Sequence, residues 1–170
     1  MDSYPAGAGD RRQPPSVLGP GVLVGLGLGG FVDGILLHQI LRWHHMVSSV
    51  RGAGLTTNLI ADGLFHAGTW LAVVVGLFWL WSRLRSPAAR AARPWRTLVG
   101  ALLLGFGTFN LVEGLVDHQL LGVHHVRPGP NQTAYDLGFL LTGVLLLAVG
   151  AVLYRAGRRA LDRRLATAPG

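Results

Sequence analysis

The sequence predicts an all-α, integral-membrane four-helix bundle, built as two halves of two helices each. Three observations carry this. Four apolar runs have membrane-crossing length, only 14% of the 170 residues are charged where a soluble domain has about a quarter, and the arginines sit beside the runs rather than within them. The length allows one domain. There is no Cys, which removes disulfides, thiolate metal sites and cysteine nucleophiles.

Residues 1–16 are polar and rich in Pro and Gly, and read as a disordered tail. Apolar runs follow at about 17–41, 59–81, 98–123 and 137–154. The four-helix domain is taken as 17–155, with halves of about 17–81 and 97–155, and residues 156–170 as a basic cytoplasmic tail. Gly is abundant and suits close helix packing in lipid. Arg11, Arg12, Arg83, Arg85, Arg90, Arg93, Arg96, Arg155, Arg158, Arg159, Arg163 and Arg164 fall on one side of the runs, and Arg42, Arg51 and Arg127 on the other. The positive-inside rule then places both termini and the 82–96 link in the cytoplasm. It accounts for the net charge of +7 without nucleic acid, and the lipid bilayer is the expected partner. Trp43, Trp81 and Trp95 stand where interfacial aromatics are expected.

The halves resemble each other. Asp33-Gly34, His38-Gln39 and His44-His45 align without a gap, at an offset of 80, with Glu113-Gly114, His118-Gln119 and His124-His125. Gly25 and Gly27 match Gly105 and Gly107. After each His pair comes a Val-Arg step (Val50-Arg51, Val126-Arg127), then Asp62 or Asp136 at the start of the next helix. Helices 1 and 3 cross in the same direction, so the repeat is parallel, with its pseudo-two-fold axis along the membrane normal. Such an axis brings both polar strings to one cavity.

All seven His and five of the eight acids lie in or beside the apolar runs: Asp33, His38, His44, His45, Asp62, His66, Glu113, Asp117, His118, His124, His125 and Asp136. Ionisable groups at membrane depth cost several kcal/mol unless paired, coordinated or hydrated. On continuous α-helices, Asp33 would share a face with His44 and Glu113 with Asp117. Asp62 and His66, four apart, could pair or ligate one ion. Asp33 and Glu113 would then lie roughly 12–16 Å from the outer His pairs. Imidazole with carboxylate suits Zn, Fe, Mn or Cu(II). The acid-x-x-x-x-His spacing departs from the Glu-x-x-His of di-iron bundles. Gln39 and Gln119 could orient the neighbouring His. Blander roles stay open: Asp62 and Asp136 as helix caps, the His pairs as solvated interfacial groups, and Asp33, Glu113 and Asp117 as a metal-free polar core.

The two polar strings, from Asp33-Gly34 to His44-His45 and from Glu113-Gly114 to His124-His125, resemble an uncharacterised bacterial family of predicted four-helix membrane proteins. The resemblance covers roughly residues 17–155. It implies a bacterial inner-membrane protein and no activity. Leu140 stands where the first half has His66, so the halves differ there.

The expected function is transition-metal binding through Asp33, His38, His44, His45, Asp62, His66, Glu113, Asp117, His118, His124 and His125, in a cluster open to the extracytoplasmic side. A metal-dependent enzyme is conceivable, with a Zn-activated water and a carboxylate handling protons, but no residue names a substrate. The alternatives are a proton- or cation-handling subunit, and an electron-transfer subunit with haem between His38 and His118. A chain this short would oligomerise or join a larger complex to serve as a channel.

Overall fold

The computed structural model describes residues 16–87, 89 and 94–167. Residues 1–15, with Arg11 and Arg12, lie outside the described residues, as do Arg90, Arg93 and 168–170. Helix α1 spans Leu18–Phe31 and continues as a π-helical segment, π1, over Val32–Ile40. Helix α2 spans Leu55–Leu84. Helix α3 spans Trp95–Glu113 and continues as π2 over Gly114–Leu120, and α4 spans Gln132–Thr167. With the π-segments included, all four are long and apolar enough to cross a membrane. Among the described residues there is no strand.

Helices α1 and α3 form the interior pair. About half of the apolar window of α1 and 44% of that of α3 are buried in protein, against 11% for each of α2 and α4. The inner pair touches closely because glycines meet backbone at the crossing. A methyl at Gly25 would collide with the Leu102 carbonyl, and one at Gly105 with that of Val22. Helix α2 packs on α1, and α4 on α3. The outward faces of α2 (Leu64, Trp70, Phe78) and α4 (Leu141, Leu145, Val152) stay exposed, as an apolar solvent requires.

Three expectations about extent change. The first and third runs stop as helix at Ile40 and Leu120, so neither His pair is helical. Asp62 is the eighth residue of α2 and Asp136 the fifth of α4, so neither caps its helix. The basic tail continues α4 as helix to Thr167, seated where Gly157 packs on Thr97.

The π-segments end in matching turns. Leu41 N–H donates to the Leu36 carbonyl at 2.8 Å, and Leu121 N–H to that of Val116 at 2.8 Å, both five residues back. Trp43 and Val123 then donate six residues back, to Leu37 (2.9 Å) and Asp117 (3.0 Å). Arg42 (φ 52°) and Gly122 (φ 58°) take the left-handed conformation that reverses the chain. A side chain added at Gly122 would meet no atom within 4 Å, so its cost there is conformational alone. Arg42→Gly should therefore raise the midpoint of thermal unfolding in detergent. Gly122→Ala should lower it, by about 1 kcal/mol of stability. Equal midpoints for both variants and the parent would show that these turns carry no strain.

Candidate metal centre

The π-segments explain the acid-x-x-x-x-His spacing. In an α-helix residues five apart diverge, whereas the wider i to i+5 turn stacks them. Asp33 thus meets His38, Oδ2 to Nε2 at 3.0 Å, and Glu113 and His118 are the same distance apart in sequence. The reversed chain beyond each π-segment folds back over it. His44 Nε2 comes to 3.9 Å from Asp33 Oδ1, and His124 Nε2 to 3.3 Å from Glu113 Oε1. The separation of 12–16 Å expected from continuous helices is replaced by direct contact, because both His follow the turn.

Six side chains converge: Asp33, His38, His44, Glu113, His118 and His124. None is more than 3% exposed. The His44 and His124 rings stack in parallel, centroids 4.7 Å apart, with His38 4.5 Å from His44 and His118 4.8 Å from His124. Three overlapping triads hold donor atoms within 4.8 Å of one another: His38, His44 and His124; Glu113, His118 and His124; Asp33, His38 and Glu113.

The outer nitrogens of the four imidazoles face acceptors. His44 Nδ1–H donates to the Val126 carbonyl (2.8 Å) and His124 Nδ1–H to that of Met46 (2.9 Å). Each loop thereby orients the other's histidine. His38 Nδ1 approaches Asp62 Oδ1 at 3.1 Å and His118 Nδ1 approaches Asp136 Oδ1 at 3.8 Å, both off the line of a good hydrogen bond. A proton on Nδ1 leaves the Nε2 lone pair pointing inward. Burial pushes the His44 imidazole down to about 3, against the pull of the Asp33 charge, and also lowers His124. Both are neutral at pH 7, the form that ligates metal.

The remaining expected residues lie outside this group. Asp62 is a hub: it accepts from His45 Nδ1 (2.6 Å), the Met46 amide (2.8 Å) and Gln39 (3.2 Å). Asp136 accepts from His125 Nδ1 (2.8 Å), the Val126 amide (3.0 Å) and Gln119 (3.5 Å). His45 and His125 therefore anchor their loops with part of each ring exposed. The glutamines hold these acids rather than the neighbouring His. Met46, not Val50, occupies the place that matches Val126. His66 Nδ1–H donates to the Asp62 carbonyl (2.6 Å), and its Nε2 edge lies against Gly34. Asp117 is half-buried and belongs to none of the triads.

The sequence reading passed over the carbonyls of Met46 and Val126, which side-chain types do not reveal. It also missed Phe65 and Phe139, which lie 5.7 Å from His38 and 5.2 Å from His118 between ring centroids. Their signal was their position three residues after Asp62 and Asp136. Trp43 packs on Tyr135 (5.3 Å), with Arg127 lying 5.3 Å from each ring. This ties the first loop to the start of α4 and gives Trp43 a partner besides the interface.

The depressed His44 and His124 values set a pH dependence for chelator-treated protein. The unfolded chain titrates these groups near 6.5 and the folded chain lower. Between 6.5 and about 3 for His44, and below 6.5 for His124, the unfolded state therefore binds more protons, so stability rises with pH and falls on acidification. The limiting slope is about 1.4 kcal/mol per pH unit for each fully shifted histidine. Unfolding midpoints should drop from pH 7 to 4, less steeply in His44→Asn. A flat profile in the parent would contradict the burial of neutral imidazoles.

No curated protein and no solved structure matches the chain. Residues 20–157 match the model of one family, described as a predicted membrane protein of the class DUF2243. The matched stretch runs from the first turn of α1 into the last third of α4 and contains every residue of the polar centre. The chain therefore belongs to the DUF2243 family of predicted membrane proteins.

Proposed function

We propose that this protein binds a divalent transition metal among Asp33, His38, His44, Glu113, His118 and His124, inside its helix bundle. One observation carries the reading. Nε2 of His38, His44 and His118, both oxygens of Asp33 and Oε2 of Glu113 are buried together without a well-aligned hydrogen bond in the protein, and the 3.0 Å approach of His38 Nε2 to Asp33 Oδ2 is off its line. Leaving such a group unsatisfied costs about 1–3 kcal/mol, and several together need a common partner. A cation coordinated by imidazole and carboxylate supplies it. The donor set suits Zn, Mn, Fe or Cu(II). Asp62 and Asp136 act from behind, in the manner of carboxylates that orient metal-binding histidines. The close ring-to-ring packing favours a small ion over the flat macrocycle of a haem.

Matched contacts support the reading of the two halves as a parallel 2+2 repeat. The pairs are Gly25 with Gly105, His44 with His124, Asp62 with Asp136, and Leu41 with Leu121. The arginine distribution supports a bacterial inner-membrane topology with both termini cytoplasmic and the centre nearer the extracytoplasmic face. The loop histidines His45 and His125, partly exposed above the centre, are suited to exchange ions with that side.

Elemental analysis of detergent-purified protein tests this. The parent should carry Zn, Fe, Mn or Cu at one or two ions per chain, and His38→Ala/His118→Ala should lose at least nine-tenths of it while remaining helical. A parent that stays metal-free after reconstitution would overturn the reading. The proton- or cation-relay reading would then lead, since Asp117, Glu113 and Asp33 run from a surface cleft to the interior.

A further inference from the structure

At the end of the bundle away from the polar centre, α4 outlasts its counterpart. By the offset of 74 that relates Asp62 to Asp136, the end of α2 at Leu84 matches Arg158, yet α4 continues as helix to Thr167. The extra turns face the first turn of α3 across a cavity of about 380 Å³. Its walls include Trp95, Arg96 and Thr97 from α3 and Gly157, Leu161 and Arg164 from α4.

The depth of this cavity follows from helix length. Counted from Leu137, where the apolar run of α4 begins, the ~20 residues that cross the hydrocarbon core end near Gly157. At ~1.5 Å per residue, positions 157–164 then span the next ~10 Å, the layer of the lipid headgroups. The charged side chains of the lining are two arginines, one from each helix, and no acid lines it. Neither guanidinium has a carboxylate partner among the described residues. Arg96 Cζ lies 5.3 Å from the Trp95 ring, and Trp95 is 60% exposed. The first turn of α3 adds backbone N–H groups without intrahelical acceptors, and no side chain caps them.

We propose that this cavity holds the phosphodiester headgroup of an anionic phospholipid. The two guanidiniums present the forked donors that match phosphate oxygens. Basic pockets between helices at headgroup depth are where acidic lipids bind. Leu161 and the exposed indole accept the glycerol and the first acyl carbons, which a free phosphate ion would leave unused. Because the arginines come from different helices, one bound lipid ties the end of α4 to the start of α3. The inference is independent of an ion at the polar centre.

Native mass spectrometry of detergent-purified full-length protein tests it, with phosphatidylglycerol and phosphatidylcholine offered in equal amounts. Both carry the phosphodiester, and only the first has a net negative charge. The parent should retain one phosphatidylglycerol per chain in at least tenfold preference. Arg96→Gln/Arg164→Gln should lose that preference while keeping the parent's helicity. Arg155→Gln/Arg159→Gln removes the same charge from exposed positions outside the cavity and should keep it. No preference in the parent would overturn the proposal. So would equal loss in both double variants, which would show a diffuse attraction to all the arginines. Displacement of the retained lipid by millimolar inorganic phosphate would also overturn it, by making the ligand the free ion.

Discussion

The structure depends on placing six ionisable side chains where water does not reach. Asp33, His38, His44, Glu113, His118 and His124 are each at most 3% exposed. Dehydrating one charge costs several kcal/mol, so the arrangement persists only if each group's partners are fixed together. Much of the remaining architecture serves that end. Glycines at Gly25 and Gly105 bring α1 and α3 into backbone contact, and further along the same pair Asp33 and Glu113 come within one triad of donor atoms. Asp62 and Asp136 tie the returning loops to α2 and α4.

The π-segments solve a geometric problem. An α-helix cannot place residues five apart on one line, yet Asp33 and His38 must meet. Widening the turn at Val32–Ile40 does so, and the reversal at Arg42 returns the chain over the site. The Ser49 amide then bonds to the Val123 carbonyl at 2.9 Å, joining the two loops. His44 and His124 are set by each other's loops, so the centre forms only when both halves are docked. Local irregularity of the helix is here the device that builds the site.

The four-helix architecture was legible in the sequence because runs of membrane-crossing hydrophobic length mark the helices directly. So was the gathering of the polar residues, since ionisable groups in apolar runs are costly enough to imply a shared purpose. The partition of those residues was not legible. The α-helical periodicity joined Asp33 to His44 through three turns and set Glu113 beside Asp117. The structure does bring His44 to Asp33, and His124 to Glu113, but by the fold-back beyond the π-turns at the left-handed Arg42 and Gly122 rather than by helical periodicity. His45, His125 and Asp62 carry the same chemistry as the inner six, and only the fold-back separates anchors from inward-facing donors. The carbonyls of Met46 and Val126 could not be found from side-chain types at all.

X-ray absorption at the edge of a metal loaded into the purified protein tests the central claim most directly, because it would report the ligands themselves. The account predicts a first shell of nitrogen and oxygen at about 2.0–2.2 Å. It also predicts the outer-shell scattering of at least two imidazoles, reduced in His44→Ala/His124→Ala. A shell of oxygen alone, without imidazole scattering, would mean that the inward-facing nitrogens do not hold the ion.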